Sequence, residues 1–474
     1  MLRYRIICLL IFLLPAACTM GPDYIRPDLM LPSASDNASA DIAPFTAADW
    51  WKLFNDPTLD RIENEALAYN QDLKIAMARV EEARALARIA FADRLPSVGI
   101  GADAGRGRVS QKAALPNESR TDDRFDGFGF LSFELDFWGK YRRLDEAARA
   151  ELLATRSARD AVRLILTADV AALYFNLRTL EAQTRIARDQ LETYDKSCVI
   201  YRKRYLAGYT QELDLRRIEA DRLATLALVY RRENALSQAG TALAMLLGRS
   251  PADIVAGFSE AGKTLEQLST FPRIPKNIPS DLLSRRPDIR REEGMLMAAN
   301  ARIGAARAAF FPAINLTGQY GFISSDFQNL FTQDSNVWNI AGSLTQPIFE
   351  GGRLFAREKA AKARHEQMLA RYEQTIQNAF RETRDALVAG TKMAQALDAS
   401  LQRAQAMRRS LDLSQKQQAS GHISMIDELD IQRRSLLAEF DLSFARQNQL
   451  DTVIALCRAM GGGWHEQTGF NQAP

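Results

Sequence analysis

The chain has 474 residues, of which 47% are hydrophobic and 25% are charged, a composition typical of folded proteins and not of disordered ones. Its 61 Lys and Arg residues nearly balance 58 Asp and Glu residues, so the one-sided basic surface of a nucleic-acid-binding protein is not expected. The three histidines and four cysteines lack the close spacing of a zinc site, which argues against a metal-dependent enzyme.

Residues 1–17 are predicted to be a secretory signal peptide. Two arginines precede an apolar run, Ile6 to Leu14, which is shorter than the ~20 residues that span a bilayer. The small residues before Cys18 resemble a bacterial lipoprotein cleavage site, so Cys18 is the candidate acylated first residue of the mature chain. Pro15 stands where such sites usually have leucine, and ordinary cleavage that leaves a free thiol is the alternative.

Residues 18–56 are predicted to form an extended, lipid-anchored N-terminal segment. Thr19 follows Cys18, in place of the aspartate that retains such lipoproteins in the inner membrane, so the resemblance to lipoproteins implies the outer membrane. No later stretch approaches the ~18 consecutive apolar residues of a spanning helix. A membrane crossing by the mature chain would therefore have to be made by strands.

The remaining sequence contains two similar halves. Residues 70–96 match residues 286–312 at an offset of 216, and from Leu131 onward the offset is 213 without a gap, as in the pairs Gly208 with Gly421 and Asp214 with Asp427. The predicted divisions are a first repeat at 57–250, a linker at 251–279, a second repeat at 280–463 and a tail at 464–474.

Each half is predicted to contain a helix, two strands, a very long helix and a shorter helix. In the first half the helices are about 57–94, 140–205 and 211–247, and in the second about 280–310, 352–419 and 424–460. The stretch from Lys140 to Tyr205 contains neither proline nor glycine, which predicts about 100 Å of continuous helix. Narrow apolar stripes rich in alanine indicate close, coiled-coil-like packing of these helices.

The strands are predicted at about 97–106, 125–137, 313–322 and 337–349. Apolar and polar residues alternate along them, most clearly from Ile314 to Phe322. Strands of about ten residues with this pattern are typical of a membrane barrel, and a half-buried soluble sheet is the alternative. Four strands cannot close a barrel, and open edges are not tolerated in lipid, so the chain is predicted to oligomerise.

Together these features resemble the TolC superfamily of outer-membrane efflux ducts, and within it the lipoprotein subgroup that serves resistance-nodulation-division (RND) pumps. The resemblance extends from Cys18 to about Gly463. It rests on four segments that are weak singly and specific together, namely Cys18–Pro27, Trp50–Pro57, Arg285–Arg291 and Pro347–Arg353.

The family resemblance implies an α+β membrane protein with two structural repeats in each chain. Three copies would form a homotrimer whose strands, four from each chain, make one twelve-stranded outer-membrane β-barrel continuous with a long periplasmic α-helical barrel. The implied partners are a periplasmic adaptor protein, an inner-membrane RND transporter and outer-membrane lipid, without nucleic acid. The chain would not be an enzyme and would carry no cofactor besides the diacylglycerol and acyl chain on Cys18.

The turns between the long and the short helices are the candidate docking tips, at the ends of the long helices farthest from the strands. By resemblance they face the adaptor, and the residues concerned are Tyr205, Gly208 and Thr210 in the first tip and Ser420, Gly421 and Ser424 in the second. The need for a positive φ in a tight turn would explain both glycines equally well.

Asp427 and Asp430 match the family's pair of aspartates at the periplasmic gate. Being three residues apart, they share one helix face. A trimer would place about six carboxylates around the pore, which would attract cations and raise the pKa of some of these carboxylates. The alternative is that Ser424 and Asp427 only cap a helix N-terminus.

The leading prediction is therefore the gated exit duct of a tripartite RND efflux system, which conducts small toxic compounds such as drugs or solvents to the exterior. A duct of the same build for type I protein secretion and a metal-ion efflux duct are alternatives. A soluble coiled-coil scaffold is a third, but it would leave the alternating strands and the region of Cys18 unexplained. The transporter selects the cargo, so this sequence does not identify it.

Overall fold

The structure is a computed structural model that describes residues 19–28, 45–108, 121–258, 262–268 and 285–462. The predicted signal peptide, Cys18, most of the linker and the C-terminal tail lie outside these residues. The chain divides into two compact units. The strand unit consists of Met1–Asp28, Arg79–Arg156 and Arg291–Glu373, and the helical unit consists of Leu29–Ala78, Ser157–Arg290 and Gln374–Pro474.

The described residues are mostly helical, with one four-stranded sheet. A short 3₁₀ helix, Trp50–Phe54, comes first. The α-helices are α1 (Pro57–Tyr69), α2 (Gln71–Ala92), α3 (Lys140–Leu206), α4 (Glu212–Leu246), α5 (Pro251–Ala256), α6 (Pro287–Ala308), α7 (Arg353–Ala419) and α8 (Met425–Ala459). The strands are β1 (Ser97–Arg108), β2 (Thr121–Leu135), β3 (Ala313–Ser324) and β4 (Asn336–Thr345).

The strand unit contains a sheet in the order β1-β2-β3-β4, with all neighbours antiparallel. One row across the sheet runs Ile100, Gly129, Tyr320 and Trp338. Because alternate residues of a strand share a face, this register puts the apolar residues of all four strands on one face. Ile100, Ile340 and Trp338 are largely exposed there, so the described part of the unit leaves this apolar face uncovered.

The opposite face of the sheet is mainly polar, with two aromatic exceptions. The ring of Phe130 lies over Gly99, where an added Cβ would come within 2.4 Å of it. Phe128 lies similarly close to Gly321. Glycine at these positions leaves room for an aromatic ring flat against the neighbouring strand.

In the same unit, α3 and α6 pack through alanines, because small side chains let helix backbones approach closely. Ala147 and Ala150 of α3 and Ala298 and Ala301 of α6 form one buried cluster. An added Cβ on Gly294 would lie 3.0 Å from the Cβ of Ala154. The alanine-rich stripes predicted from the sequence are used here for this close contact.

The helical unit has an apolar core around the 3₁₀ helix. Trp50 and Phe54 are almost fully buried, and the ring of Phe54 makes an edge contact of 4.7 Å with that of Phe175 on α3. Leu59 and Ile62 of α1 complete this part of the core. Tyr174 donates a hydrogen bond to Asp56, whose other oxygen caps α1 at the backbone N–H of Thr58.

Some element boundaries differ from those predicted. The helix predicted at 57–94 is two helices, because Asn70 is non-helical (ψ 134°) and its Oδ1 accepts from the N–H of Leu73, as an N-cap does. β2 begins earlier than predicted and ends at Leu135, since the carboxylate of Asp136 accepts from the N–H groups of Tyr141 and Arg142 at the start of α3. β4 ends at Thr345, two residues before Pro347, which has no N–H for a strand ladder.

None of the helices in the described part of the chain combines the length and the apolar character that a membrane crossing requires.

Candidate functional site

The first tip turn, between α3 and α4, is a Schellman motif. Gly208 has φ +75° and its N–H donates to the carbonyl oxygen of Tyr205 at 2.9 Å, while the N–H of Tyr209 reaches back to Arg204 at 2.9 Å. These two bonds satisfy carbonyls that the helix end leaves unpaired, and the positive φ favours glycine. Thr210 then donates a hydrogen bond of 3.0 Å to Asp214 in the first turn of α4.

The second tip turn, between α7 and α8, repeats this geometry. Gly421 has φ +77°, its N–H donates to Gln418 at 3.0 Å, and the N–H of His422 donates to Gln417 at 2.9 Å. Ser420 donates from its hydroxyl to the carbonyl oxygen of Lys416. The helix ends account for both glycines, so the described geometry gives Gly208 and Gly421 a structural role.

The two tips differ in the chemistry they expose. Leu206 and Tyr209 of the first tip are 79% and 84% exposed, and Leu213 on the adjoining turn of α4 is also exposed. The second tip exposes Ser420 and His422 at its turn, with the ring Nδ1 of His422 at 2.9 Å from the hydroxyl of Ser420, and Ile426, the counterpart of Leu213, is less exposed than Leu213. The first tip is thus the more apolar of the two candidate docking surfaces.

Asp427 lies in the first turn of α8, where it takes part in capping. The hydroxyl of Ser424 accepts from the backbone N–H of Asp427 at 3.2 Å and donates to its carboxylate at 2.7 Å. This reciprocal arrangement resembles a capping box. The carboxylate remains solvent-exposed, so capping and a role for its charge are both compatible with the geometry.

Asp430 is paired within its own helix. Its carboxylate accepts from Arg433 at 2.8 Å and from Arg434 at 2.6 Å. Hydrogen bonds from these two guanidinium groups lower the pKa of Asp430 below its ordinary value. In a single chain the carboxylate is therefore ionised and its charge is offset, whereas the sequence prediction of raised pKa values concerned six carboxylates in a trimer.

The packing of α8 fixes which way this acidic face points. Leu429 is buried in a cluster with Tyr194 and Tyr201 of α3 and with Leu215 and Ile218 of α4. At about 100° per residue, Asp427 lies about 160° and Asp430 about 100° around α8 from Leu429, so neither carboxylate points into this cluster. Two residues that the sequence interpretation missed, Arg433 and Arg434, could have been found from their spacing of three and four residues after Asp430.

The described chain begins next to the predicted lipidation site, in the strand unit. The N–H of Met20 donates to the carbonyl oxygen of Trp138 at 3.1 Å. Thr19 lies against Gly139, where an added Cβ would be 2.9 Å from its side chain, and Gly21 packs on Gly304 with an added Cβ only 2.4 Å away. These contacts place residue 19 within a few residues of the end of β2.

Residues 19–28, which we name the strap, are held by charged side chains. Arg26 makes two hydrogen bonds, of 2.7 and 2.5 Å, to the carboxylate of Glu293, a buried residue on α6, and Tyr24 donates to the same carboxylate at 3.3 Å. Arg143 at the start of α3 donates to the carbonyl oxygen of Met20 and to Asp23. The sequence interpretation did not single out Glu293, because nothing in the α6 sequence distinguishes it from other helical glutamates.

Across the described ranges, no group of three or more His, Cys, Asp or Glu side chains is arranged to hold a metal ion. Cys198 is half-buried and Cys457 is fully buried, and burial raises the pKa of both thiols. Both cysteines are therefore protonated at neutral pH.

Comparison with known proteins gives a consistent result. The family model described as outer membrane efflux protein matches residues 63–249 and 278–462. The cation efflux system protein CusC of Escherichia coli O6:H1 is 35% identical over 457 residues, which cover 95% of this chain and 96% of CusC. The solvent efflux pump outer membrane protein SrpC of Pseudomonas putida is 33% identical over 477 residues, which cover 98% and 99% of the two chains.

The fold is also similar to that of a solved channel. The crystal structure of the Campylobacter jejuni CmeC outer membrane channel superposes with a TM-score of 0.89 at 26% identity, covering 95% of this chain and 96% of that one. The similarity therefore includes both the sheet and the long helices.

Proposed function

The chain belongs to the outer membrane efflux protein family, and we propose that three copies of it form a gated exit duct through the outer membrane for a tripartite RND-type efflux system. Each chain would supply four strands of a twelve-stranded β-barrel and one third of an α-helical barrel in the periplasm. The duct would be a passive conduit, without catalysis of its own.

The sheet carries this proposal. In the described strand unit, β1 and β4 each pair with a single neighbour, and the apolar face of the sheet is exposed. Backbone groups on such edges cannot remain unpaired in lipid, whereas pairing β4 of one copy with β1 of the next closes the wall. The strands have 10 to 15 residues, which is long enough for the ~9–11 residues of a tilted transmembrane strand.

The strap supports a lipid anchor at Cys18. Thr19 follows Cys18 directly and lies beside Gly139, where β2 gives way to α3. An acyl chain on Cys18 would therefore start near the periplasmic ends of the strands, at the height where the outer membrane's inner leaflet begins. One acyl chain alone binds membranes weakly, and diacylglycerol plus an acyl chain anchors firmly.

The two tip turns and the first turn of α8 carry the residues that we assign to docking and gating. We assign Tyr205, Gly208, Thr210, Ser420, Gly421 and Ser424 to contact with a periplasmic adaptor, and Asp427 and Asp430 to the gate. The exposed Leu206 and Tyr209 make the first tip the stronger apolar contact. The inner-membrane transporter would supply the energy and choose the cargo.

Small toxic organic compounds are the proposed cargo, as the name of SrpC states for that solvent pump. Metal ions are the second candidate, because CusC is named as a cation efflux protein and is 35% identical to this chain. Type I protein secretion remains the third reading of the same architecture.

Deletion of the gene and growth with toluene, hydrophobic antibiotics or silver salts tests both the function and the cargo. Sensitivity to the organic compounds alone supports the leading proposal, and sensitivity to silver alone supports the metal-ion duct. A protein recovered only from the soluble periplasmic fraction would contradict the duct in every form.

A further inference from the structure

In the strand unit, the loop between β3 and β4 is folded into a defined structure that contains two short 3₁₀ turns. The carboxylate of Asp326 accepts from the side-chain amide of Asn329 at 3.2 Å. The carbonyl oxygen of Asn329 accepts in turn from the hydroxyl of Thr332 at 2.8 Å. These bonds hold the stretch of backbone that carries Phe327 and Phe331.

Both phenylalanines lie on the apolar face of the sheet. Phe327 makes an edge contact of 5.5 Å with Phe125 of β2, and Phe331 makes one of 5.7 Å with Phe322 of β3. The register places Phe125 and Phe322 on the same face as Ile100. Phe327 and Phe331 are nevertheless 63% and 74% exposed. Exposed aromatic rings grouped in this way indicate contact with an apolar medium.

Charged side chains follow the aromatic rings at the loop end of this face. Along β1, the residues of the apolar face are uncharged from Val98 to Ala104, and the next two on that face are Arg106 and Arg108. The guanidinium of Arg106 lies 3.4 Å from the carboxylate of Asp123, its partner on β2, and 74% of the Arg106 side chain is exposed. Arg108 is exposed as well. The β1–β2 ladder therefore ends, on its apolar face, in two guanidinium groups and one carboxylate.

The length of β2 gives the depth of these groups in a membrane. Leu135 is the last residue of the strand on the apolar face, and Asp123 precedes it by twelve residues. At ~3.3 Å per residue and a tilt of about 40°, twelve residues rise about 30 Å, and the ten residues from Leu135 to Phe125 rise about 25 Å. The apolar band of a membrane barrel is about 25 Å tall. The aromatic rings therefore lie at the outer edge of the band, and the two arginines lie at the level of the lipid headgroups.

We propose that Arg106 and Arg108 bind a phosphate of a phosphorylated glycolipid, of the lipid A type that fills the outer leaflet of bacterial outer membranes. Phe327 and Phe331 insert among the acyl chains of the same lipid. This inference rests on the proposed membrane barrel, in which the strand ends that join the helices face the periplasm. It goes beyond that barrel because it assigns a lipid site to the extracellular end of β1.

The arginine pair fits a phosphate better than a zwitterionic headgroup. The two residues are separated by one residue on a strand, so their Cα atoms are about 7 Å apart and both side chains can reach one phosphate. Arg106 has a long contact with Asp123, which leaves most of its five N–H donors for a ligand. An ammonium group on the lipid would be repelled by both guanidinium groups. The carboxylate of Asp123 repels the phosphate, so its neutralisation should strengthen binding.

Native mass spectrometry of the detergent-purified protein with added lipid A tests the site. Arg106→Gln with Arg108→Gln should weaken lipid A retention roughly tenfold, because charge-assisted hydrogen bonds are lost. Arg124→Gln is the matched control, since Arg124 lies at a similar height on the polar face and pairs there with Asp126. Asp123→Asn should increase retention, a gain that a misfolded variant would not give. Equal retention by the double variant and the parent would overturn the proposal.

Two further lipids test which headgroup the site recognises. Lipid A without its phosphates and phosphatidylglycerol should both be retained severalfold less than lipid A. Equal retention of the dephosphorylated lipid would show that the arginines do not bind the phosphate. Equal retention of phosphatidylglycerol would show that this surface binds any anionic lipid. Either result would overturn the assignment to a phosphorylated glycolipid.

Spin labels separate this inference from the proposed duct. In a Cys198→Ser chain reconstituted into vesicles of phosphatidylglycerol and lipid A, labels at Ile100→Cys and Phe331→Cys should be more accessible to oxygen than to a water-soluble nickel complex. A label at Phe130→Cys, on the polar face, should show the reverse. If residue 100 faces water, the membrane barrel and the duct are both wrong. If residue 100 faces lipid and residue 331 faces water, the lipid site is wrong while the barrel stands.

Discussion

The side-chain amide of Asn70 donates a hydrogen bond of 2.8 Å to the carbonyl oxygen of Leu246, at the end of α4. The repeat places Arg286 at the equivalent position, and its guanidinium donates at 3.1 Å to the carbonyl oxygen of Ala459, which is the counterpart of Leu246 at the end of α8. In the first half, a side chain at the start of α2 thus bonds to the end of α4. In the second half, a different side chain at the start of α6 bonds to the end of α8. The internal repeat is preserved at the level of single hydrogen bonds.

Replacing Asn70 with alanine should destabilise the helical unit by about 2 kcal/mol, because it removes both the N-cap of α2 and a buried hydrogen bond. Thermal unfolding of the purified protein in detergent measures the change. Asn64→Ala is the matched control, since the amide of Asn64 bonds a carbonyl on an exposed helix surface. Equal melting temperatures for the two variants would contradict the role given to Asn70.

The pair Asn70 and Arg286 also shows what the sequence can and cannot predict. The repeat offset, the alternation in the strands and the stretch free of proline and glycine all follow from local patterns in the chain. The break at Asn70 does not, because residues 57–94 have continuous helical periodicity and the asparagine is held by Leu246, 176 residues away. Boundaries fixed by distant partners are beyond local pattern analysis.

The buried carboxyl of Glu63 should make the stability of the protein depend on pH. It is fully buried on α1, its carboxylate oxygens have no hydrogen-bond partner among the described groups, and burial raises its pKa well above the ordinary value. In the unfolded chain the carboxyl ionises near pH 4.5. Above that pH the unfolded chain has lost the Glu63 proton, whereas the folded chain still binds it. The free energy of unfolding therefore falls as pH rises from about 4.5 toward the raised pKa of the folded state.

Glu63→Gln should therefore stabilise the protein at pH 7 and have little effect near pH 4.5, because the glutamine side chain carries no proton that depends on pH. Denaturation midpoints measured at both pH values check this. Glu82→Gln, at an exposed site on α2, should leave the pH profile unchanged. A stabilisation by Glu63→Gln that is independent of pH would rule out proton linkage at this residue.

Gly208→Ala and Gly421→Ala should each destabilise the protein by about 1 kcal/mol, because an L side chain is strained at positive φ. No atom lies within 4 Å of an added Cβ at either glycine, so the cost arises from the backbone alone. Hydrogen exchange at the last turns of α3 and α7 should increase in the matching variant. Faster exchange at the unmutated tip instead would show that the two turns do not behave independently.

The strap should loosen when its buried carboxylate is neutralised. Glu293→Gln removes the charge that binds Arg26, so chymotrypsin should cleave after Tyr24 severalfold faster in the folded protein. Glu292→Gln is the control, because Glu292 is the neighbouring carboxylate on α6 and pairs with Arg291 of the same helix. The exchange of Arg26→Glu with Glu293→Arg should restore resistance, and cleavage that stays fast in the exchanged pair would show that the ion pair does not hold the strap.

The gate role of Asp427 and Asp430 stays a prediction, and of their bonding partners the sequence interpretation named Ser424 but not Arg433 or Arg434. The spacing of Asp427 and Asp430 places both on one face of α8, but the sequence interpretation treated them as uncompensated charges. Arg433 and Arg434 offset Asp430, and the hydroxyl of Ser424 bonds Asp427. The two arginines follow from their spacing within α8, whereas the direction in which this helix face points depends on the packing of Leu429 against residues of α3 and α4 far away in sequence.

These partners predict different results for the two aspartates in planar bilayers. Asp427→Asn removes an exposed carboxylate and should reduce block by divalent cations. Asp430→Asn also leaves Arg433 and Arg434 without their carboxylate, so the tip gains free positive charge and the reversal potential in a salt gradient should shift toward anion selectivity. Arg433→Gln with Arg434→Gln should shift it the opposite way and strengthen cation block. Currents that are the same in all three variants would show that neither aspartate faces the ion path, and the gate would then have to be sought elsewhere along α4 and α8.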